Sequence, residues 1–360
     1  MLEDSLPYSN IAVNDAIQAL QQGGLVAIPT ETVYGLAADA TNIEAIQKIY
    51  VMKNRPANHP LIVHLAEPEN NNLTEPDWLS VLTPWARDVS EEALRIIFAF
   101  WPGPLTLVFK KDRHVFNEIT GGQDTVALRS PAHPVAQELL RKFGKAVVAP
   151  SANRFGKISP TSAADVRNEF TNYPDLVVLD GGDCDIGIES TIVDLSNGDC
   201  ATLLRPGAIT PAEIFKRTGV VVNKPGVVFD NQLTARVSGS FRAHYAPTTP
   251  LRIYSPGRLL DCLSEYPDIK TRVAVAVWDS DSSLNQDGIS YVQINEVLVP
   301  AGSVEFANRL YRVLRDLDQQ QWDLILFPEP PSGEEWDGVR DRLQRACFGS
   351  GPSLSSHSNN

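Results

Sequence analysis

Short apolar runs that end abruptly constrain this chain more than any other feature. Residues 25–28 (Leu-Val-Ala-Ile) lie between Gly23-Gly24 and Pro29, and the stretches 60–65, 105–109, 125–129, 146–149, 176–179, 190–194 and 201–204 are of the same kind. Aliphatic runs this short, bounded by Gly, Pro or polar clusters, form buried strands rather than helices. Between them, 14–22, 42–52, 91–100, 135–143 and 163–170 repeat apolar residues at helical spacing. Asn42 opens one of these helices and Pro56 forbids its continuation, while Thr161 or Ser162 caps another. Strands and helices interleave without strict alternation, which predicts an α/β fold built on a mixed twisted sheet. The stretch 67–83, with Asn70-Asn71-Asn72, reads as an inserted, mobile surface loop without chemical content.

From about Lys224 the texture changes, and Gly, Pro, Ser and Asn crowd the chain as far as Pro250. A length of 360 residues exceeds the roughly 250–300 at which single cores stop growing. The division expected is therefore a catalytic domain over 1–223, a linker over 224–250 that contributes to the site, a second domain over 251–347 and a disordered tail over 348–360. In the second domain, 272–278 and 323–327 read as buried strands and 305–317 and 339–346 as helices. That pattern predicts a smaller, parallel, Rossmann-like α/β domain. It lacks the glycine fingerprint of a dinucleotide site.

The four cysteines, Cys184, Cys200, Cys262 and Cys347, form no CxxC pair, which argues against a zinc centre or disulfide framework and for a reducing compartment. The first ten residues carry two acids and no apolar core, and no run approaches the roughly 20 apolar residues of a membrane span. The expected location is the cytoplasm, with no membrane partner. A formal net charge of -13 disfavours broad attraction to nucleic acid, because phosphate neutralisation needs clustered Lys and Arg. The acidity is shared, since 251–360 hold 16 acids and 10 bases.

Against that background the basic residues in turns are informative. Asn54-Arg55-Pro56, Leu128-Arg129-Ser130-Pro131 and Leu204-Arg205-Pro206 each place a guanidinium where proline stops regular structure, suited to capture of carboxylate or phosphate. Ser151-Ala152-Asn153 follows a buried strand and Ser159-Pro160-Thr161 precedes a helix, positions fit for phosphate contacts or simply for a turn and a cap. Residues 29–36, Pro-Thr-Glu-Thr-Val-Tyr-Gly-Leu, deliver hydroxyls and one carboxylate to a strand end, with Thr30 and Glu31 expected to do no more than shape the turn. Gly121-Gly122 and Gly181-Gly182 match no phosphate-binding pattern. His59 and His64 lie five apart on an extended segment and face opposite ways, so one metal ion does not explain both. No nucleophile elbow or HExxH motif is present.

Together, PTETVYGL at 29–36, KNRP at 53–56, HPLIVH at 59–64, WPGPLT at 101–106, TVALR at 125–129, PSAN at 150–153, EST at 189–191 and LRPG at 204–207 strongly resemble the YrdC-like L-threonylcarbamoyladenylate synthase family. Ser238-Gly239, His244-Tyr245-Ala246-Pro247 and Asp341-Arg342-Leu343 look like its longer two-domain branch. The resemblance covers nearly the whole chain. It implies a YrdC-like twisted sheet and the condensation of L-threonine, bicarbonate and ATP to threonylcarbamoyl-AMP and diphosphate. Mg²⁺ would be held mainly by phosphates and water, and the product would be handed to a tRNA threonylcarbamoyltransferase complex, with direct tRNA binding weak or absent.

Motif by motif, the resemblance places threonine on Thr32, His64, Arg129 and Ser190. ATP falls to Arg55, His59, Thr125, Ser151, Asn153, Thr161, Arg205 and Tyr245, with Lys53 and Arg55 as catalytic residues. Two positions depart from the family's usual pattern: Phe155-Gly156 stands where Ser-Gly is usual, and His59 stands where Asn is common. Two other readings compete. Carbamoyl transfer in a hydrogenase-maturation protein uses a related domain, but the missing CxxC pairs count against it. An RNA-binding module without catalysis is disfavoured by the net acidity.

Overall fold

A computed structural model describes residues 10–70, 72–198, 200–224, 235–237, 239, 242–255, 257–264, 272–279 and 293–351. Contacts divide the chain into two units, one made of 1–155 with 159–240 and one made of 156–158 with 241–360.

The first unit is built on one mixed sheet. Its strands are β1 (Val26–Ile28), β2 (Gly35–Asp39), β3 (Ile62–His64), β4 (Ala86–Arg87), β5 (Leu105–Lys111), β6 (Thr125–Arg129), β7 (Val147–Val148), β8 (Val177–Val178), β9 (Thr191–Asp194), β10 (Ala201–Arg205) and β11 (Val222–Asn223). They run in the order β11-β10-β9-β5-β6-β3-β7-β2-β1-β8, with β4 paired to β5. Its helices are α1 (Asn10–Gln21), α2 (Ile43–Lys53), α3 (Glu75–Leu82), α4 (Glu91–Phe100), α5 (Asn117–Thr120), α6 (Pro134–Phe143), α7 (Ala163–Glu169) and α8 (Pro211–Thr218).

Period-two alternation sorts the two faces of this sheet. One face buries Val63, Leu105, Leu107, Phe109, Val126, Leu128 and Val193 in a core shared with Ile96 and Ile97 of α4, Trp78 of α3 and Ile214 of α8. The opposite face is divided. Over β1, β2 and β7 it is covered by α1 and α6, where Val26, Ile28, Ala37 and Val147 pack on Leu20 and Leu139. Over β3, β5, β6 and β9 it keeps only a small apolar floor of Ile62, Val108, Ala127 and Ile192, with Val237 packed on it. The remaining side chains on that half are polar, and this is where the candidate site lies.

The stretch 67–83 is not a loop without structure. Residues Glu75–Leu82 form α3, whose Asp77 carboxylate accepts from the Thr74 backbone N–H at 2.7 Å and its hydroxyl at 2.5 Å. Trp78 and Leu82 are fully buried. A local cap and one large aromatic outweigh the Asn-rich approach to the helix.

The stretch 224–250 divides between the two units. Arg236 and Gln123 exchange backbone and side-chain hydrogen bonds at 2.6 and 3.0 Å within the first unit, and residues 242–250 group with the second. Residues 225–234, and Ser238 of the Ser238-Gly239 motif, lie outside the described residues.

The second unit carries β12 (Leu251–Tyr254), α9 (Leu259–Ser264), β13 (Arg272–Trp278), β14 (Gln293–Val299), α10 (Ser303–Gln319), β15 (Leu324–Pro328) and α11 (Asp337–Gly349). Its four strands pair in parallel in the order β12-β15-β13-β14. Helix α11 runs to Gly349, and the Leu251 backbone N–H donates to the Ser350 hydroxyl at 2.8 Å. A tail beginning at 348 is therefore drawn too early, and 352–360 lie outside the described residues. Among the described residues no helix is long and apolar enough to cross a membrane.

Candidate active site

Residues 29–34 connect β1 to β2 through a turn that hydroxyl groups hold. The Thr30 hydroxyl accepts from the backbone N–H groups of Thr32 and Val33 at 3.2 Å and donates to the Val33 carbonyl at 2.6 Å. Its single proton is thereby used, so at the 2.9 Å contact between the two threonines the Thr32 hydroxyl is the donor. Thr32 then accepts from Arg129 Nη1 at 3.0 Å. The Arg129 Nη2 group donates to Glu31 Oε1 at 2.6 Å and Nε to the Gly103 carbonyl at 3.2 Å. The other Glu31 oxygen accepts from the Ala132 N–H at 3.0 Å. Glu31 was expected only to shape the turn. It also fixes the arginine.

Pairing of β3 with β6 sets His64 directly beside Arg129 on the same face. His64 Nδ1 lies 3.1 Å from the Ile62 carbonyl. A carbonyl only accepts, so Nδ1 carries the proton and Nε2 is left as the acceptor. Burial, the neighbouring Arg129 charge and the weaker opposing pull of the carbonyl leave this imidazole with a pKa near 3, hence neutral at pH 7.

Next along the same face, β5 and β9 bring the Thr106 and Ser190 hydroxyls to 2.8 Å. Arg205 at the end of β10 donates to the Ser190 carbonyl at 3.0 Å and to its hydroxyl at 3.1 Å. Glu189 takes the Ser159 hydroxyl at 2.5 Å, tying this corner to the loop before α7. Thr125 begins β6 on the face that carries Ala127 and Arg129.

A second group gathers where α2 ends. Asn54 takes the left-handed conformation and caps the helix, turning the chain so that Lys53 and Arg55 point inward. Lys53 Nζ donates to the carbonyls of Ser151, at 2.6 Å, and Asn153, and the Lys53 carbonyl accepts from the Phe155 N–H at 2.8 Å. The Lys-Asn-Arg and Ser-Ala-Asn motifs are thus laced together. Complete burial, reinforced by the Arg55 charge and opposed by Glu169 and Glu189, drives the Lys53 pKa well below its ordinary value. Arg55 donates to the Pro60 carbonyl at 2.9 Å, and His59 has its pKa lowered to about 4 by burial, Arg55 and Arg236.

Ser162, not Thr161, is the side chain that caps α7, accepting from the Asp165 N–H at 3.1 Å, while Thr161 donates its backbone N–H to the Asp165 carboxylate at 3.0 Å. The two groups are joined by backbone. The N–H of Tyr34 reaches the Pro160 carbonyl at 2.9 Å and that of Ala152 reaches the Tyr34 carbonyl at 2.7 Å. The Tyr34 hydroxyl pins Gly181 and Gly182 at 3.0 and 2.8 Å. A Cβ on Gly181 would stand 2.6 Å from both Pro29 and His133, so only glycine fits there.

Tyr245 groups with the second unit, at φ 60° and almost fully buried. Its ring stands 4.1 Å from His244 and 5.7 Å from Tyr311, with the Arg342 guanidinium 5.5 Å from its centroid. Thr106, which lies inside the WPGPLT motif, joins this face through Ser190 although the sequence did not single it out. Among the described residues no three His, Cys, Asp or Glu side chains converge as a metal cage.

The arrangement is suited to an amino-acid carboxylate at Arg129 and to phosphates along Lys53, Arg55 and Arg205. The Sua5/YciO/YrdC family model, described as telomere recombination, matches residues 18–207, and the model for the threonylcarbamoyl-AMP synthase C-terminal domain matches 209–347. The chain is 37% identical over 338 residues to the threonylcarbamoyl-AMP synthase of Pyrococcus abyssi (strain GE5 / Orsay), covering 91% of each. It is 35% identical over 349 residues to that of Bacillus subtilis (strain 168), covering 96% of each. The solved structure of P. abyssi Sua5 complexed with L-threonine superposes with a TM-score of 0.79 at 33% identity, over 94% of this chain and 95% of that one.

Proposed function

We infer the chemistry from a plain family membership: the chain belongs to the Sua5/YciO/YrdC family of threonylcarbamoyl-AMP synthases and carries that family's C-terminal domain. It is an enzyme that makes threonylcarbamoyl-AMP from L-threonine, bicarbonate and ATP, for threonylcarbamoyladenosine synthesis in tRNA. The observation that carries the residue assignment is the one sheet face on which Arg129, a neutral His64, Thr106 and Ser190 meet over an apolar floor.

We assign the threonine carboxylate to Arg129, whose guanidinium is held by Thr32 and Glu31, and the threonine hydroxyl and amine to the acceptors His64 Nε2 and the Ser190 corner. ATP is assigned to Arg55, His59, Thr125, Ser151, Asn153, Thr161 and Arg205, with Lys53 beside its phosphates. Tyr245 is assigned to ATP as well, and unchanged ATP affinity and turnover in Tyr245→Ala would remove it. In the reaction the deprotonated amine bonds to the bicarbonate carbon and water leaves, giving a carbamate. A carbamate oxygen then bonds to the α-phosphorus as the bond to the bridging oxygen breaks and diphosphate departs.

The chain's own groups orient the two reactants and neutralise charge, with no covalent enzyme intermediate. Burial and Arg55 lower the Lys53 pKa, and phosphate charge beside it would favour the protonated form. Carboxylates beside the site are already engaged, Glu31 by Arg129 and Glu189 by Ser159, so the donor set does not fit a protein-built Mg²⁺ cage. Mg²⁺ is assigned to the nucleotide, entering as MgATP. We place the enzyme in the cytoplasm and its product in the hands of a separate tRNA-modifying complex, since a net charge of -13 gives the chain little hold on RNA.

Calorimetric titration with L-threonine tests the assignment. Arg129→Ala should abolish the binding heat; unchanged affinity would remove Arg129 from the threonine site.

A further inference from the structure

Phe155 sits where the two laced motifs meet. Its backbone N–H is fixed at 2.8 Å from the Lys53 carbonyl, while Lys53 Nζ reaches back to the carbonyls of Ser151 and Asn153. This cross-bracing fixes the backbone from which the ring projects. It stands edge-to-face with the His59 imidazole, centroids 5.0 Å apart at 87°. The Arg55 guanidinium lies 5.9 Å from the ring centroid. Both distances are within the range at which aromatic pairs and cation–π contacts attract.

Arg55 and His59 are buried, and Phe155 is half-buried. His59 and Phe155 are therefore in contact with each other, and the same Phe155 ring has Arg55 over it.

We propose that Phe155 is a positioning residue for the nucleotide side of the site, holding the Arg55 guanidinium and the His59 imidazole in the orientation that receives ATP. This rests on the assignment of ATP to Arg55 and His59. The guanidinium is planar, with its donors in one fork, so the ring beside it and the Pro60 carbonyl at 2.9 Å together set which way those donors point. The neutral imidazole, kept edge-on, adds a polar group without a further positive charge.

Steady-state kinetics of the full chain at saturating L-threonine and bicarbonate test the proposal. Phe155→Leu keeps an apolar side chain of similar bulk but removes the aromatic ring, and should raise KM for ATP about tenfold with KM for threonine and the melting temperature unchanged. Phe155→Tyr should restore the wild-type KM for ATP. The proposal is overturned if Phe155→Leu binds ATP as the wild type does. It is equally overturned if that variant weakens both substrates alike with a lower melting temperature, which marks a merely structural role. Arg55→Met, measured alongside, separates the two ideas. An unchanged KM for ATP there removes the ATP assignment itself, whereas a raised KM with Phe155→Leu silent removes only the role of Phe155.

Discussion

The Arg129 guanidinium and the Glu31 carboxylate meet at 2.6 Å, with side chains only 5% and 8% exposed. A pair this far from water gains little net stability over an apolar pair, but removing one member leaves the other charge uncompensated. Its value lies in orientation. Thr32, Glu31 and the Gly103 carbonyl fix the guanidinium, so the carboxylate we assign to it would meet an arginine that need not reorganise.

Glu31→Ala should accordingly cost about 3–5 kcal/mol of stability, and Glu31→Gln, which keeps an acceptor beside Arg129, distinctly less. Urea unfolding of the two variants reads the difference. Equal and small losses would show that the pair carries no such constraint.

Lys53 ties together two motifs that are 98 and 100 residues apart at the bonded carbonyls. Lys53→Met fills similar space but leaves the Ser151 and Asn153 carbonyls without this donor. It should slow product formation by about 100-fold, the usual scale for losing one preorganised donor. Lys53→Arg should not rescue, because a fully enclosed site has no room for the larger fork. Rapid-quench measurement of threonylcarbamoyl-AMP checks both.

The depressed pKa of His64 predicts the direction of the acid response. Folded, the imidazole titrates near 3; unfolded, near about 6.5. Between those values the unfolded chain binds more protons, so stability rises with pH through the window and levels off above it. It is lost as pH falls, at up to about 1.4 kcal/mol per pH unit for one such group. His59, near 4, adds a term of the same sign. Unfolding free energies at pH 4.5 and 7 should differ less in His64→Gln than in the wild type. Identical differences would contradict the buried neutral histidine.

Trp78 offers a test of the first unit's core. Wholly buried on α3 and 5.5 Å from the Trp101 ring, it should cost about 3–5 kcal/mol when replaced by Ala. Guanidinium unfolding measures this, and a near-neutral result would return 67–83 to the status of a dispensable loop.

Much of this architecture is legible in the chain because its strands are short, aliphatic and stopped by Pro or Gly, as at 25–28 and 125–129. The arginine turns at 55, 129 and 205 were legible for the same reason, since proline marks where regular structure yields to a pointed side chain. Glu31 escaped as a partner because its significance depends on Arg129, 98 residues on, which no local pattern reveals. Helix α3 was hidden by the Asn-rich segment before it, and its cap and Trp78 show themselves only in packing. Strands β12 and β14 were missed because neither carries a long buried run. Phe155 was visible as a departure from a family pattern, but its contact with the other departure, His59, needed the fold.

The central claim is that this one site joins threonine, bicarbonate and ATP. Diphosphate release from ATP by the purified chain, measured with and without L-threonine and bicarbonate, tests it most directly. Release that requires both co-substrates, and that falls away in Arg129→Ala, is the predicted result. Release that proceeds equally without threonine, or no release under any combination, would contradict it.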